Sequence, residues 1–252
     1  MPSDYKISAG SYDLNKWLYG GYEKDIITTI YGPSGSGKTN FCLLAAISLA
    51  LKGKKVIFID TEGGFSSERV KQIAGGSEES SKALQSIILL KPVNFEEQKK
   101  AFGTILKEIK DESNVGLIVV DGMTMLYRLE LGEIKETSAD DRENAERIRE
   151  VNRELARQLR VLAEIARNRN IPVIVTNQVY NTFISPEDRA RGVLPEVRMV
   201  GGDLLKYWSK CLIRLENNSG KRRAFLVKHR SLKEKYLDFY ILDEGIKKRG
   251  WI

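Results

Sequence analysis

Four short stretches of the chain carry side chains whose types and spacing suit phosphate chemistry. Gly32-Pro33-Ser34-Gly35-Ser36-Gly37-Lys38-Thr39 is a complete GxxxxGK[ST] pattern. Backbone N–H groups at such a turn converge on an anion, and glycines let the chain curl round it without Cβ clashes. Lys38 adds a cation for β- and γ-phosphates, and Thr39 offers a hydroxyl to Mg²⁺. Leu117-Ile118-Val119-Val120-Asp121 is an apolar run ending in a carboxylate, the form of a Walker B aspartate, so Asp121 is the second candidate Mg²⁺ anchor. Phe58-Ile59-Asp60-Thr61-Glu62-Gly63-Gly64 ends the same way, and Glu62 is placed to orient or deprotonate an attacking water. Val173-Ile174-Val175-Thr176-Asn177-Gln178 ends in a neutral amide that can sense a γ-phosphate without neutralising it. The chemistry this implies is binding of ATP with Mg²⁺, with Lys38, Glu62 and Gln178 as the residues acting on its hydrolysis.

Those residues must sit at strand ends to meet. The run Asp25-Ile26-Ile27-Thr28-Thr29-Ile30-Tyr31 before the phosphate loop reads as a strand, and Asn40-Phe41-Cys42-Leu43-Leu44-Ala45-Ala46 after it as a helix start. Further strands are expected at Val56 to Asp60, Ser86 to Leu90, Gly116 to Asp121, Pro172 to Asn177, Cys211 to Glu216, Arg223 to His229 and Tyr236 to Leu242. Helices between most of them call for an α/β fold, a mainly parallel sheet flanked by helices. The last three strands are joined by short turns such as Asn217-Asn218-Ser219-Gly220, so the sheet should end in an antiparallel C-terminal meander. From Asp140 to Asn170, Ile148, Val151, Leu155, Leu159, Leu162 and Ala166 form the apolar stripe of one long structural helix. Arg128 to Asp141 and Tyr180 to Gly202 show little periodicity and are expected to be loops beyond the carboxyl ends of strands, where ligands collect.

Composition limits the partners. With 252 residues, 42% of them hydrophobic, the chain can bury a substantial core, and global disorder is excluded. No separating linker or repeat is visible, so 1–252 is read as a single domain with a short lead-in over 1–24. The start has no apolar signal segment, and Phe41 to Leu51 is too short to span a bilayer, which points to the cytoplasm and to no membrane partner. Residues 1–185 carry 25 basic and 25 acidic side chains, whereas residues 186–252 carry 16 and 9. The whole +7 excess therefore lies in the last quarter, in Lys221-Arg222-Arg223, in Lys228-His229-Arg230 with Lys233 and Lys235, and in Lys247-Lys248-Arg249. Such clusters suit a polyanion. Cys42 and Cys211 are too far apart in sequence for a metal motif and are expected to be core thiols, with His229 a polar surface or interface residue.

The motifs together resemble the RecA/RadA recombinase family, and among its branches the archaeal RadB-type paralogues. The likeness runs from about Gly10 to the C-terminus. It includes Gly10-Ser11-Tyr12-Asp13-Leu14-Asn15-Lys16-Trp17-Leu18-Tyr19-Gly20-Gly21, Asp60-Thr61-Glu62-Gly63, the Asp121 strand, Leu155-Ala156-Arg157-Gln158-Leu159-Arg160 and Thr176-Asn177-Gln178-Val179. The resemblance implies a RecA-like core, Glu62 as the water-activating glutamate, and Gln178 as the link from nucleotide to the second DNA loop. It also makes Arg128 to Asp141 and Tyr180 to Gly202 the first and second DNA loops and suggests a cis Asp121-Gly122 peptide. The family's N-terminal helical DNA-binding domain and Phe-x-x-Ala motif have no counterpart in this sequence. The expectation is therefore a nucleoid-associated accessory protein that binds ATP and single- or double-stranded DNA, hydrolyses ATP weakly, and assists the main RadA-type recombinase, with homo-oligomers open. The alternative is a RecA-superfamily ATPase or P-loop kinase acting on a non-DNA substrate.

Overall fold

The strand runs anticipated from the sequence form one sheet. The computed structural model describes residues 5–111, 114–137, 141–181, 191 and 197–250. Its sheet-forming strands are β3 (Ile27–Gly32), β4 (Lys55–Asp60), β5 (Ile87–Leu90), β6 (Val115–Asp121), β7 (Val173–Asn181), β9 (Ser209–Asn218), β10 (Lys221–His229), β11 (Lys235–Leu242) and β12 (Gly245–Lys248). They lie in the order β12-β11-β10-β9-β3-β7-β6-β4-β5. Pairing is parallel from β9 through to β5 and antiparallel from β9 out to β12. Central strands such as Val119 and Val120 are buried on both faces, which is why they read as unbroken apolar runs rather than alternations.

Helices supply the two covering layers. One face packs on α2 (Lys38–Ala50), which is apolar nearly all round, and on α1 (Tyr12–Trp17). The other packs on α5 (Phe95–Asp111), α6 (Met125–Thr137) and α7 (Asp141–Arg169), with Phe102, Ile105, Leu155, Leu159 and Leu162 in that second core. α3 (Ser67–Ala74) and α4 (Ser77–Ser86) follow β4. The lead-in is not a passive extension. β1 (Lys6–Ile7) and β2 (Tyr22–Glu23) pair antiparallel, and Leu14, Trp17, Leu18 and Tyr22 are buried in the first core.

Three expectations are corrected. Arg128 to Asp141 is not a loop over its described part, since α6 runs to Thr137 and Asp141 opens α7; residues 138–140 lie outside the described residues. Tyr127, Leu131 and Ile134 form its inward stripe at helical spacing, obscured in the sequence by Arg128, Glu130 and Glu133 between them. The ends of Tyr180 to Gly202 are also ordered. β7 extends to Asn181 and pairs antiparallel with β8 (Val197–Met199), Val179 facing Met199, and Gly202 opens a short helix to Trp208. Residues 182–190 and 192–196 of that stretch lie outside the described residues. Lastly, the Asp121-Gly122 peptide is trans, as are the others among the described residues. The turn is made instead by Gly122 at φ +90°, whose N–H donates to Thr176 Oγ1 at 2.7 Å.

Candidate nucleotide site

Parallel register brings the four stretches together. Gly32 of β3 lies opposite Gln178 of β7, and Asp60 of β4 opposite Asp121 of β6, so all four carboxyl ends open on one crevice. The phosphate loop leaves β3 and enters α2 through Gly37 at φ +106°, where an L side chain would be strained and its Cβ would press on Ile241 at 2.8 Å. Gly37 caps α2 without a side-chain hydrogen bond, which leaves the first-turn N–H groups for an anion. Lys38 Nζ is folded back on its own loop and donates to the carbonyls of Gly32 and Pro33, both at 3.1 Å. Burial pulls its pKa down, against the upward pull of Glu62 and Asp121.

Asp121 is buried and accepts from two hydroxyls, Thr39 Oγ1 on Oδ2 at 2.7 Å and Thr176 Oγ1 on Oδ1 at 2.6 Å. Burial lifts its pKa above the ordinary carboxylate value; the two hydroxyls oppose the shift, and nearby Glu62 and Asp60 add to it. Glu62 Oε2 accepts from Gln178 Nε2 at 3.0 Å, and its other oxygen is buried without a partner. A cavity of about 10 Å³ beside Glu62, Thr124, Arg128 and Gln178 has room for about one water.

Several residues that hold this site were not singled out from the sequence. Both oxygens of Asp60 accept backbone N–H groups, from Gly64 and Phe65 at 3.0 Å each, and so fix the turn that carries Glu62. Thr61 Oγ1 donates to the carbonyls of Asp121 and Gly122, tying the two acidic strand ends together. Beside Gln178, Asn177 takes a hydrogen bond from Thr124 Oγ1 and donates to Val200 O at 2.7 Å. The signal was present in Asp60-Thr61 and Thr176-Asn177, polar pairs at the ends of apolar strands. At the far end of the loop, Asn217 and Arg222 of the β9–β10 hairpin donate to Gly35 O at 3.3 and 3.4 Å.

The residues present fit a nucleotide with Mg²⁺. Ser36 Oγ and Glu62 Oε1 are buried polar atoms without partners, and a buried polar atom is costly unless something comes to satisfy it. Thr39 and Asp121 are hard oxygen donors of the kind Mg²⁺ takes together with phosphates and water. Among the described residues there is no cluster of three or more His, Cys, Asp or Glu able to hold a metal ion by themselves.

The basic clusters divide into two kinds. Lys228 Nζ donates to the carbonyls of Lys206 and Ser209 at 2.8 and 2.9 Å, and Arg230 grips Asp25 through two nitrogens and Glu23 through its Nε. The His229 side chain is enclosed, contrary to the surface expectation, and Nδ1 accepts the backbone N–H groups of Ser231 and Leu232. Burial lowers its pKa in spite of Glu23 nearby. This cluster braces β2 against the β10–β11 turn. Arg230→Ala is accordingly expected to cost about 2 kcal/mol, because it strips the buried Glu23 carboxylate of its nearest cation and leaves it only Lys6 at 4.0 Å. A drop in Tm of about 4–8 °C would show it. An unchanged Tm with weakened DNA binding would instead make Arg230 a surface contact. Of the other two clusters, Lys221-Arg222-Arg223 opens β10, with Arg222 beside the phosphate loop and Arg223 on Asp238, and Lys247-Lys248-Arg249 ends the edge strand β12. Both cysteines are buried thiols, as expected.

A mainly parallel sheet with this loop at its first central strand, carboxylates on the neighbouring strands and an antiparallel C-terminal extension defines a RecA-like P-loop NTPase. The Rad51 family model matches residues 4–249, and the chain belongs to that family, on its RadB branch. It is 41% identical over 247 residues to the DNA repair and recombination protein RadB of Methanobrevibacter smithii, covering 96% of each chain. It is 43% identical over 236 residues to the RadB of Methanococcoides burtonii, covering 93% of this chain and 94% of the relative. A crystal structure of the RadB recombinase superposes with a TM-score of 0.73 at 35% identity, over 97% of this chain and 100% of the other.

Proposed function

We propose that this chain is an ATP- and DNA-binding accessory protein of homologous recombination and DNA repair, a weak, DNA-modulated ATPase that assists a RadA-type recombinase. The relatives named RadB support the process, and the crevice supports the nucleotide. Residues Gly32 to Thr39 bind the phosphates, Thr39 and Asp121 hold Mg²⁺, and Glu62 takes the proton of the attacking water at Oε1. Bound ATP with Mg²⁺ supplies the phosphoryl group and the Lewis acid. Lys38 leaves its loop carbonyls for phosphate oxygens, and Gln178 gives up or keeps Glu62 according to what occupies the crevice.

The observation that carries the reading is a chain of hydrogen bonds. Glu62 binds Gln178; its neighbour Asn177 binds Val200, at the edge of the 180–202 segment. A change at the γ-phosphate position therefore has a short covalent and hydrogen-bonded route to Val200, as in nucleotide switches. DNA would be met by 180–202, by the 128–141 stretch with its helix α6, and by the meander's Lys221-Arg222 and Lys247-Lys248-Arg249. The test is titration of single-stranded and duplex DNA with and without ATP, read beside pull-down of a RadA-type recombinase. Expected are ATP-dependent affinity for DNA and a salt slope of about −0.7 to −0.9 per phosphate contact. Absence of DNA binding at low salt, or a flat salt response, would sink the reading.

A further inference from the structure

The C-terminal meander covers the core with one face and leaves the other open. Ala224, Leu226, Leu237 and Phe239 point inward, where Phe239 meets Phe41 edge-on at 5.4 Å. The register sets Phe225 opposite Tyr236 and Arg223 opposite Asp238, so the alternate residues of β10 and β11 share the outer face. That face is aromatic and cationic. The Arg223 guanidinium lies 4.4 Å from the centre of the Tyr236 ring, and that of Arg214 lies 4.5 Å from Phe225. Tyr236 is 59% exposed and Tyr240, four residues further along β11 on the same face, 41% exposed.

A groove of about 1180 Å³ separates this face from the turn after α1. Across it stands Tyr19, 71% exposed and held at φ +53°, a backbone region that a bulky side chain occupies only at a cost. Its carbonyl accepts from Lys6 Nζ at 3.1 Å, its N–H donates to Lys16 O at 3.3 Å, and Lys235 Nζ sits 4.1 Å from its ring centre. That backbone closes α1 as a left-handed C-cap, with the Gly20 N–H also donating to Asn15 O at 2.7 Å, and it sets the Tyr19 ring in solvent beside Lys235. The rim carries Lys16, Lys221, Lys248 and Arg249, while its two acids are engaged, Asp238 by Arg223 and Asp13 by the Lys248 N–H.

We propose that this groove holds a single strand of nucleic acid, with bases stacked on Tyr236, Tyr240 and Tyr19 and phosphates on the rim cations. The inference rests on the DNA-binding reading above and adds to it a site and a strand preference. An open antiparallel sheet bearing exposed rings beside cations matches unstacked bases, each of which offers a π-face. A duplex keeps its bases stacked and would use the cations alone. An acidic peptide would likewise satisfy the charges but leave three exposed rings without a purpose.

The test compares fluorescent oligo(dT) with a duplex of the same length, at one salt concentration, for the full chain and for Tyr236→Leu, Tyr240→Leu and Tyr236→Phe. Each ring removed is expected to weaken strand binding about 5- to 150-fold, with duplex binding and the salt slope unchanged and Tyr236→Phe close to the parent. Thermal melts confirm that the variants fold. If the parent binds the strand and the leucine variants bind it equally well, or lose strand and duplex alike, the groove assignment falls while DNA binding stands. If neither form of DNA binds at low salt, both fall. A polyglutamate peptide whose binding drops in Tyr236→Leu while oligo(dT) binding does not would give the face to a protein partner and overturn the proposal.

Discussion

Glu62→Gln is expected to slow ATP turnover about 100- to 10,000-fold while leaving nucleotide affinity nearly unchanged. The substitution is close to isosteric, so the carbonyl oxygen of the new amide can keep the hydrogen bond that Glu62 Oε2 takes from Gln178. What is lost is the unpartnered Oε1, the one atom of the pair positioned to accept a proton. Asp60 continues to hold the Gly64 and Phe65 backbone, so the turn itself should not move. The measurement is single-turnover phosphate release with protein in excess, because the parent rate is expected to be low, alongside titration with a fluorescent ATP analogue. A large fall in affinity with turnover per bound ATP unchanged would transfer Glu62 from catalysis to binding. DNA-dependent stimulation in the variant would separate the two roles of the pair, since Gln178 can still report to Val200 when Glu62 no longer acts as a base.

The site was more legible in the sequence than its supports were. Glu62, Asp121 and Gln178 close apolar strand runs, the loop that carries Lys38 and Thr39 follows another, and parallel strands place such ends side by side, so their convergence follows from topology. The long strands were legible for the same reason. β1 and β2 were not, being two residues each and defined by pairing rather than composition. α6 was hidden because three charged residues interrupt the Tyr127, Leu131 and Ile134 stripe, and only burial against α5 and α7 shows which residues count. Charge alone said least at Lys228-His229-Arg230. The sequence shows cations but not the distant Glu23 and Asp25, more than two hundred residues earlier in the chain, that Arg230 meets. Likewise the sequence marked Tyr236 to Leu242 as a strand but did not say that Tyr19 would stand across a groove from Tyr236.

Lys38→Ala should weaken ATP binding about 10- to 150-fold, the worth of charge-assisted hydrogen bonds to phosphate. It should also leave a mark on the protein without nucleotide. Lys38 is a buried cation near Glu62 and Asp121, and its removal leaves the Gly32 and Pro33 carbonyls without their donor. Asp121 already titrates above its ordinary value of 3.8 because it is buried. A raised carboxyl holds its proton longer in the folded chain than in the unfolded one, so its contribution to stability falls as pH rises from the unfolded to the folded value and stays lower above it. Without Lys38 the charged form of Asp121 loses a stabilising neighbour, and the upper end of that window moves to higher pH. Thermal melts of parent and Lys38→Ala over this range should differ least at the acid end, where Asp121 is neutral in both states and only the lost carbonyl contacts count, and diverge as pH rises. The same shift should make Mg²⁺ binding at Thr39 and Asp121 more sensitive to acid in the variant, since the carboxylate must lose its proton to take the ion. Parallel melting curves with ATP affinity intact would show that Lys38 serves only to close its own loop.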